Sequence, residues 1–279
     1  MLSDYHVHLR PDEQGSTAER YFTSANVDRY REAAAERGIE ELGVAEHIHR
    51  FVQSLEIWQH PWYRAWAADD VDEYCDFVRS SGLKLGIEAD FLPGREDRVM
   101  NMLDGRPWDY VVGSVHFVGE DAVDLHGLPD WQAWDIWRGG DPERIWSRYF
   151  ETLGEAARTG MFDILAHPDL VKVFGSRVPV PEGDLRRFYE RAMDGIADSD
   201  VAVEVSTAGL RKPAGEIYPA ARFLEMCLDA GRPVALSSDA HMPEQLGYEY
   251  ERAVEWLSEL GVTQLAVFDG RSRRLEAIG

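Results

Sequence analysis

Two hydrophobic patterns alternate along this chain. Short apolar, β-branched runs predict strands at Leu2–His8, Glu41–Ala45, Lys84–Ala89, Tyr110–His116, Phe162–His167, Val201–Ser206, Val234–Ser238 and Leu265–Phe268. Between them, amphipathic stretches predict helices over Asn26–Arg37, Asp70–Ser80, Pro142–Arg158, Asp184–Asp198, Tyr218–Ala230 and Glu244–Leu260. Several carry stop signals: Gly38 follows the first, Gly160 closes the third after Arg158, and Gly231 ends the fifth before Pro233. Strand–helix alternation of this kind indicates an α/β fold with a parallel sheet or barrel. There is no low-complexity segment, composition shift or fixed-period repeat, so residues 1–279 read as a single domain. That length suits one α/β barrel. One stretch, Trp58-Gln59-His60-Pro61-Trp62-Tyr63-Arg64-Ala65-Trp66, breaks the alternation. It is either a lid or pocket wall, or a packed aromatic insertion.

Charge narrows the partners. Against 29 Lys and Arg stand 51 Asp and Glu, a net charge of −22. Such a surface repels phosphate backbones and anionic membranes, which argues against nucleic acid and membrane partners. A small phosphorylated metabolite can still enter a locally positive, metal-filled pocket. The two cysteines, Cys75 and Cys227, fall in helix-like stretches and read as buried free thiols. No basic-then-apolar leader opens the chain and no apolar run reaches membrane-spanning length, so a cytoplasmic setting is expected.

The chemistry gathers at strand ends. His6 and His8 are spaced i and i+2, which puts both rings on one face of an extended strand. Imidazole is the commonest protein ligand for transition metals. The same device recurs: Glu46 and His47 end the second strand, Glu88 the third, His116 the fourth, His167 the fifth, and Asp239 and His241 the seventh, with Glu204 in the sixth. In a β/α barrel these ends converge on one face, where barrel enzymes keep their chemistry. Six of the nine histidines occupy strand ends, a placement that scattered structural histidines would not share. The other three, His49, His60 and His126, read as surface or pocket-wall residues. Six imidazoles with several carboxylates exceed one zinc site of about four ligands. They suggest two or three divalent ions (Zn, Mn or Fe), with Glu88 able to bridge two of them. Ions about 4 Å apart suit phosphoester hydrolysis, because they bind phosphoryl oxygens and lower the pKa of a bound water. Neither a nucleophile elbow nor a P-loop is present.

The ordered set Asp4-Tyr5-His6-Val7-His8, Glu46-His47, Gly86-Ile87-Glu88-Ala89-Asp90-Phe91, Gly113-Ser114-Val115-His116-Phe117, Ala166-His167-Pro168-Asp169-Leu170, Glu204 to Lys212 and Ser237-Ser238-Asp239-Ala240-His241 resembles the PHP (polymerase and histidinol phosphatase) family, in its histidinol-phosphatase branch. The resemblance implies a distorted TIM-like (β/α)7 barrel with metals at the C-terminal strand ends. It places His6, His8, Glu88 and Asp239 on one ion, Glu88, His116 and His167 on a second, and His47 and His241 on a third. A further histidine that the family carries after the first motif is missing from Arg10-Pro11-Asp12-Glu13-Gln14-Gly15-Ser16. Glu13, or else Asp12, would substitute, and oxygen in place of nitrogen favours harder ions such as manganese. Asp239, His241 and Arg211 are the implied catalytic groups. Arg211 and Lys212, with Lys172, Arg177 and Arg50 in second rank, are candidates to hold a substrate phosphate. The implied reaction is hydrolysis of L-histidinol phosphate in histidine biosynthesis, releasing inorganic phosphate. The rival readings are a PHP phosphoesterase for a nucleotide or other small phosphate, and a non-catalytic metal-binding module. Oligomeric state is not legible.

Overall fold

The computed structural model describes residues 1–279. Seven parallel strands form one sheet in sequence order: β1 Leu2–Asp4, β2 Ile39–His47, β3 Lys84–Asp90, β4 Val112–Ser114, β5 Ile164–Leu165, β6 Ala202–Ser206 and β7 Val234–Ser237. The outer strands meet to close most of a barrel. Val7, just past β1, bridges Ala240, just past β7, in parallel, and the His8 amide donates to the Ala240 carbonyl at 2.7 Å. Buried Asp4 tightens the same seam by accepting from the amide and hydroxyl of Ser238.

Glycines and aromatic rings fill the barrel floor. Inside, the Tyr110 ring lies against Gly43 and Gly86; on the outer face of the sheet the Phe162 ring lies against Gly113. A Cβ on Gly86 would meet the Tyr110 ring at 2.3 Å, and one on Gly113 would meet Phe162 at 2.2 Å. These strands therefore need glycine so that large rings can pack directly against the sheet on either face. On the outside, helices Pro142–Arg158 and Arg186–Ala197 cross at Gly154 and Gly195, where a Cβ on Gly195 would fall 2.0 Å from the Gly154 carbonyl oxygen.

The structure corrects several boundaries. The last expected strand does not join the barrel. Strand β8, Gln264–Asp269, turns through Gly270 and Arg271 into β9, Ser272–Ala277, an antiparallel hairpin across the base. Phe268 packs edge-on to Tyr5 at 5.5 Å there. The expected helix Glu244–Leu260 is helical only from Tyr250 to Glu259, because Gly247 takes a left-handed φ of 61° after a short turn at Pro243–Gln245. Likewise Tyr218 pairs with Ser206 in a bridge, which delays the following helix to Ala221. An unexpected helix, Glu96–Leu103, fills the β3–β4 connection.

No helix is long and apolar enough to cross a membrane. Cys75 and Cys227 are buried free thiols, and burial pushes each up to about 12. Native protein is therefore expected to leave both unmodified by iodoacetamide at pH 8, with modification appearing only on unfolding; mass spectrometry reads this directly. Gly86→Ala is expected to destabilise the fold by about 1–3 kcal/mol through overpacking against Tyr110, measured as a lower denaturation midpoint in urea.

Candidate metal centre

The sheet register assembles the site. It sets His47 beside Glu88 on adjacent strands, with β4 and β5 ending just before His116 and His167. Extended backbone around Val7 turns His6 and His8 to the same side. His167 and Asp239 sit at strand ends with left-handed φ values of 22° and 49°. Left-handed backbone is costly for residues other than glycine and concentrates at functional sites, where the surroundings hold it in place.

Glu88 is the hub. Its Oε2 lies 2.5 Å from His47 Nδ1, 3.3 Å from His6 Nε2 and 3.6 Å from His8 Nε2. Its Oε1 faces the other way, 3.2 Å from His167 Nε2 and 3.4 Å from His116 Nε2, and accepts from the Ser114 hydroxyl. Asp239 Oδ1 lies 3.5 Å from His8 Nε2 and 3.8 Å from His6 Nε2. His241 Nε2 sits 3.4 Å from His47 Nε2, and its ring stacks on His8 at 4.2 Å. Four overlapping triplets of potential ligand atoms result: His6, His8 and Asp239; His6, Glu88 and His167; His47, Glu88 and His116; and His8, His47 and His241.

This donor set suits metal ions. His6 Nε2, His8 Nε2 and Glu88 Oε2 are buried, point inward and have no well-formed hydrogen bond. Atoms of this kind are costly in a protein interior unless a cation meets them. The protonation pattern agrees. Burial opposes ionisation of Glu88, yet His47, His6 and His116 beside it hold its carboxyl well below the ordinary range. Asp239 is held low in the same way, mainly by His6 and His8. Burial pushes His8 and His241 down to about 3, while for His116 burial is outweighed by Glu88 and Asp90, which carry it up to about 10. Adjacent rings thus move in opposite directions because so tight a cluster cannot protonate all of them.

A family model for the PHP domain matches residues 20–208. The chain belongs to the PHP family. A Deinococcus radiodurans protein named "Probable histidinol-phosphatase" is 32% identical over 83% of this chain and 86% of its own. The Bacillus subtilis protein named "Histidinol-phosphatase" is 25% identical over 90% of this chain and 98% of its own. Among solved structures, histidinol phosphate phosphatase from Lactococcus lactis, complexed with zinc, L-histidinol and phosphate, superimposes with a TM-score of 0.73 over 98% of both chains at 18% identity. At that identity the likeness is one of PHP fold.

Other candidates fall differently around this PHP cluster. Glu13 is exposed on its loop and joins no ion pair. Its neighbour Asp12 borders the cleft beside His47 and His49 and accepts from Arg50 at 3.0 Å. Buried Arg50 is committed to that loop, bonding the Pro11 carbonyl and stacking on Trp66. Glu46 lies outside the cluster, because it accepts from Arg10 Nε and the Leu9 amide. Glu204 stands behind the cluster, taking His6 Nδ1 at 2.8 Å and the His167 amide at 2.5 Å. Lys172 gives its three donors to Asp169, Glu216 and the Ile217 carbonyl, and keeps none for a phosphate. Arg177 and Lys212 are exposed and pair with no carboxylate. Arg211 alone reaches the cluster. Its Nη2 donates to the Ser238 and Asp239 carbonyls at 2.8 and 3.0 Å, and its buried Nη1 has no partner.

Two contributors, Asp90 and Tyr63, escaped the sequence reading, and a third, His49, takes one of its two expected places. Asp90 takes His116 Nδ1 at 2.6 Å and is itself held by the Tyr63 hydroxyl at 2.5 Å. Its i+2 spacing from Glu88 was the available cue. Tyr63 offered none, since it belongs to the tryptophan-rich stretch, which forms the short helix Pro61–Trp66 capped by buried His60. His49, expected at the surface or a pocket wall, is a buried wall residue stacked 4.8 Å from His47. A carboxylate behind a ligating histidine fixes its tautomer and orientation. Asp90→Asn is therefore expected to weaken zinc retention by about 10- to 100-fold, measured by competition with a chromogenic chelator.

Proposed function

We propose that this protein hydrolyses L-histidinol phosphate to L-histidinol and inorganic phosphate. The observation that carries the reading is the division of Glu88: one oxygen faces His6, His8 and His47, and the other faces His116 and His167. A carboxylate so placed is suited to bridge two ions, the arrangement used for displacement at phosphorus. The names of the curated relatives, and the zinc, L-histidinol and phosphate in the Lactococcus lactis structure, support this substrate.

In this reading His6, His8, Glu88 and Asp239 would hold one ion, and Glu88, His116 and His167 would hold a second. His47 and His241 would hold a third. Asp12, nearer than Glu13, is the oxygen donor available to that third site. Zinc, manganese or iron in these positions would neutralise phosphoryl charge and supply an activated water. The chain's own residues do the rest. Glu204 and Asp90 fix the rings of His6 and His116 from behind. Arg211 braces the strained Asp239 peptide through its carbonyl and turns its free Nη1 to a substrate oxygen, a contact that guanidinium makes well with phosphate. Lys212 and Arg177, exposed and unpaired with carboxylates, are left at most an outer electrostatic role.

Purified protein supplied with manganese or zinc should release phosphate from L-histidinol phosphate in preference to nucleotides and other small monoesters. His8→Ala and Asp239→Ala should each lower kcat/KM by about 10²- to 10⁴-fold, the several kcal/mol that metal charge contributes at a phosphoryl transition state, with circular dichroism unchanged. Full activity in both variants would sink the metal mechanism. Turnover of another ester alone would keep the mechanism and discard the substrate.

A further inference from the structure

The cleft that opens onto the metal cluster has one wall of unlike chemistry. Its lining includes His47 and His116 from the cluster, then Trp62, Phe117 and His49, and two carboxylates, Asp12 and Asp124. Asp12 accepts from Arg50 and is the oxygen donor assigned above to the third metal position. The site's other carboxylates, Glu88, Asp90, Glu204 and Asp239, all touch histidines of the cluster. Asp124 differs from them: its side chain forms no ion pair and no hydrogen bond with any other residue, although it is only partly exposed; it lines the cleft with Trp62 and Phe117, and His116 is its foremost charged neighbour. A half-buried carboxylate with no direct partner on a partly aromatic wall is unfavourable on its own account. It is well suited to a cation, which gains a charge-assisted hydrogen bond from the oxygen and a quadrupole attraction from the rings.

We propose that Asp124 is the acceptor for a substrate ammonium group, with Trp62 and Phe117 as the flanking aromatic wall. The substrate class is then phosphomonoesters of amino alcohols: the phosphate goes to the cluster and Arg211, and the amine a few bonds away goes to Asp124. The assignment rests on the phosphomonoesterase reading above and adds a specificity determinant to it. It also gives the tryptophan-rich stretch a role, since Trp62 belongs to that stretch and forms part of the wall.

The test compares the wild type with Asp124→Asn on three probes: L-histidinol phosphate, O-phosphoethanolamine and n-propyl phosphate. The last has an alkoxide leaving group and no amine. Expected is a wild-type preference for the amine-bearing esters, expressed as the ratio of their kcat/KM to that of n-propyl phosphate. In Asp124→Asn that ratio should fall about 10- to 100-fold, mainly through KM, which is the worth of one charge-assisted hydrogen bond. Equal metal content in the two proteins shows that the variant folds and loads. An unchanged ratio overturns the proposal. So does an equal loss on n-propyl phosphate, which would place Asp124 in the chemistry as a proton donor and not in recognition. Wild-type indifference to L-histidinol phosphate would overturn the substrate named above. The ratio of O-phosphoethanolamine to n-propyl phosphate would still decide Asp124, and its absence in wild type would overturn that assignment too.

Discussion

Everything at the C-terminal face depends on one buried carboxylate. Glu88 is 1% exposed and lies within 3.6 Å of five imidazole rings. An isolated ion there would be expelled or neutralised by burial. Instead the surrounding rings hold it ionised, and the inward-facing nitrogens of His6 and His8 have no hydrogen-bonding partner to justify their own burial. The arrangement is self-consistent only as a receptacle for positive charge, with protons or metal ions as the candidates. Protons serve it badly, because neighbouring rings drive one another in opposite directions. Divalent ions satisfy several donors at once, which is why a polar cluster of this size can sit at the mouth of an apolar barrel.

The barrel's construction follows from the need to bring that carboxylate and those rings together. The strands are short, two residues in β5 and three in β1 and β4, so side chains just past the hydrogen-bonded ladder already face the site. The seam between β1 and β7 is closed by Asp4 and the Val7–Ala240 bridge, and both motifs at that seam carry metal-type residues. Closing the barrel and assembling His6, His8, Asp239 and His241 are therefore one structural event. A substitution that loosened the seam would be felt in the site before it was felt in the core.

Most of the site could be read from the chain because it is written in strand-end positions. His6 and His8, Glu88, His116, His167, Asp239 and His241 each sit at or just past the end of a strand, and parallel topology brings them together. What could not be read is what depends on three-dimensional pairing. Glu46 and Glu88 look alike in sequence, each a carboxylate near the end of a strand. Arg10 captures the first, and the imidazoles surround the second. Lys172 looks like a phosphate ligand until Asp169, Glu216 and the Ile217 carbonyl take its donors. The last strand, Leu265–Phe268, carries the same apolar run as the barrel strands, and only the Asp269-Gly270 turn after it hints at a hairpin instead of a barrel strand. The tyrosine–aspartate–histidine chain from Tyr63 to His116 links segments 27 and 26 residues apart, with no local pattern to announce it.

The acidity of the chain takes on meaning at this point. A net charge of −22 works against any extended polyanion, since a nucleic acid must cover much surface to bind. It works far less against a small phosphate, whose energy is set by the few ångströms around it. With cations in the cluster, as the proposed function requires, and Arg211 at its edge, the local field at the mouth would be positive while the surroundings are negative. A compact anion that also bears a positive group fits this field better than a bare anion, because its ammonium gains from the same acidic surroundings that its phosphate must cross. Under the proposed function the global charge and the local cluster would act together in selection: one would disfavour large polyanions, and the other would retain a small zwitterionic phosphate.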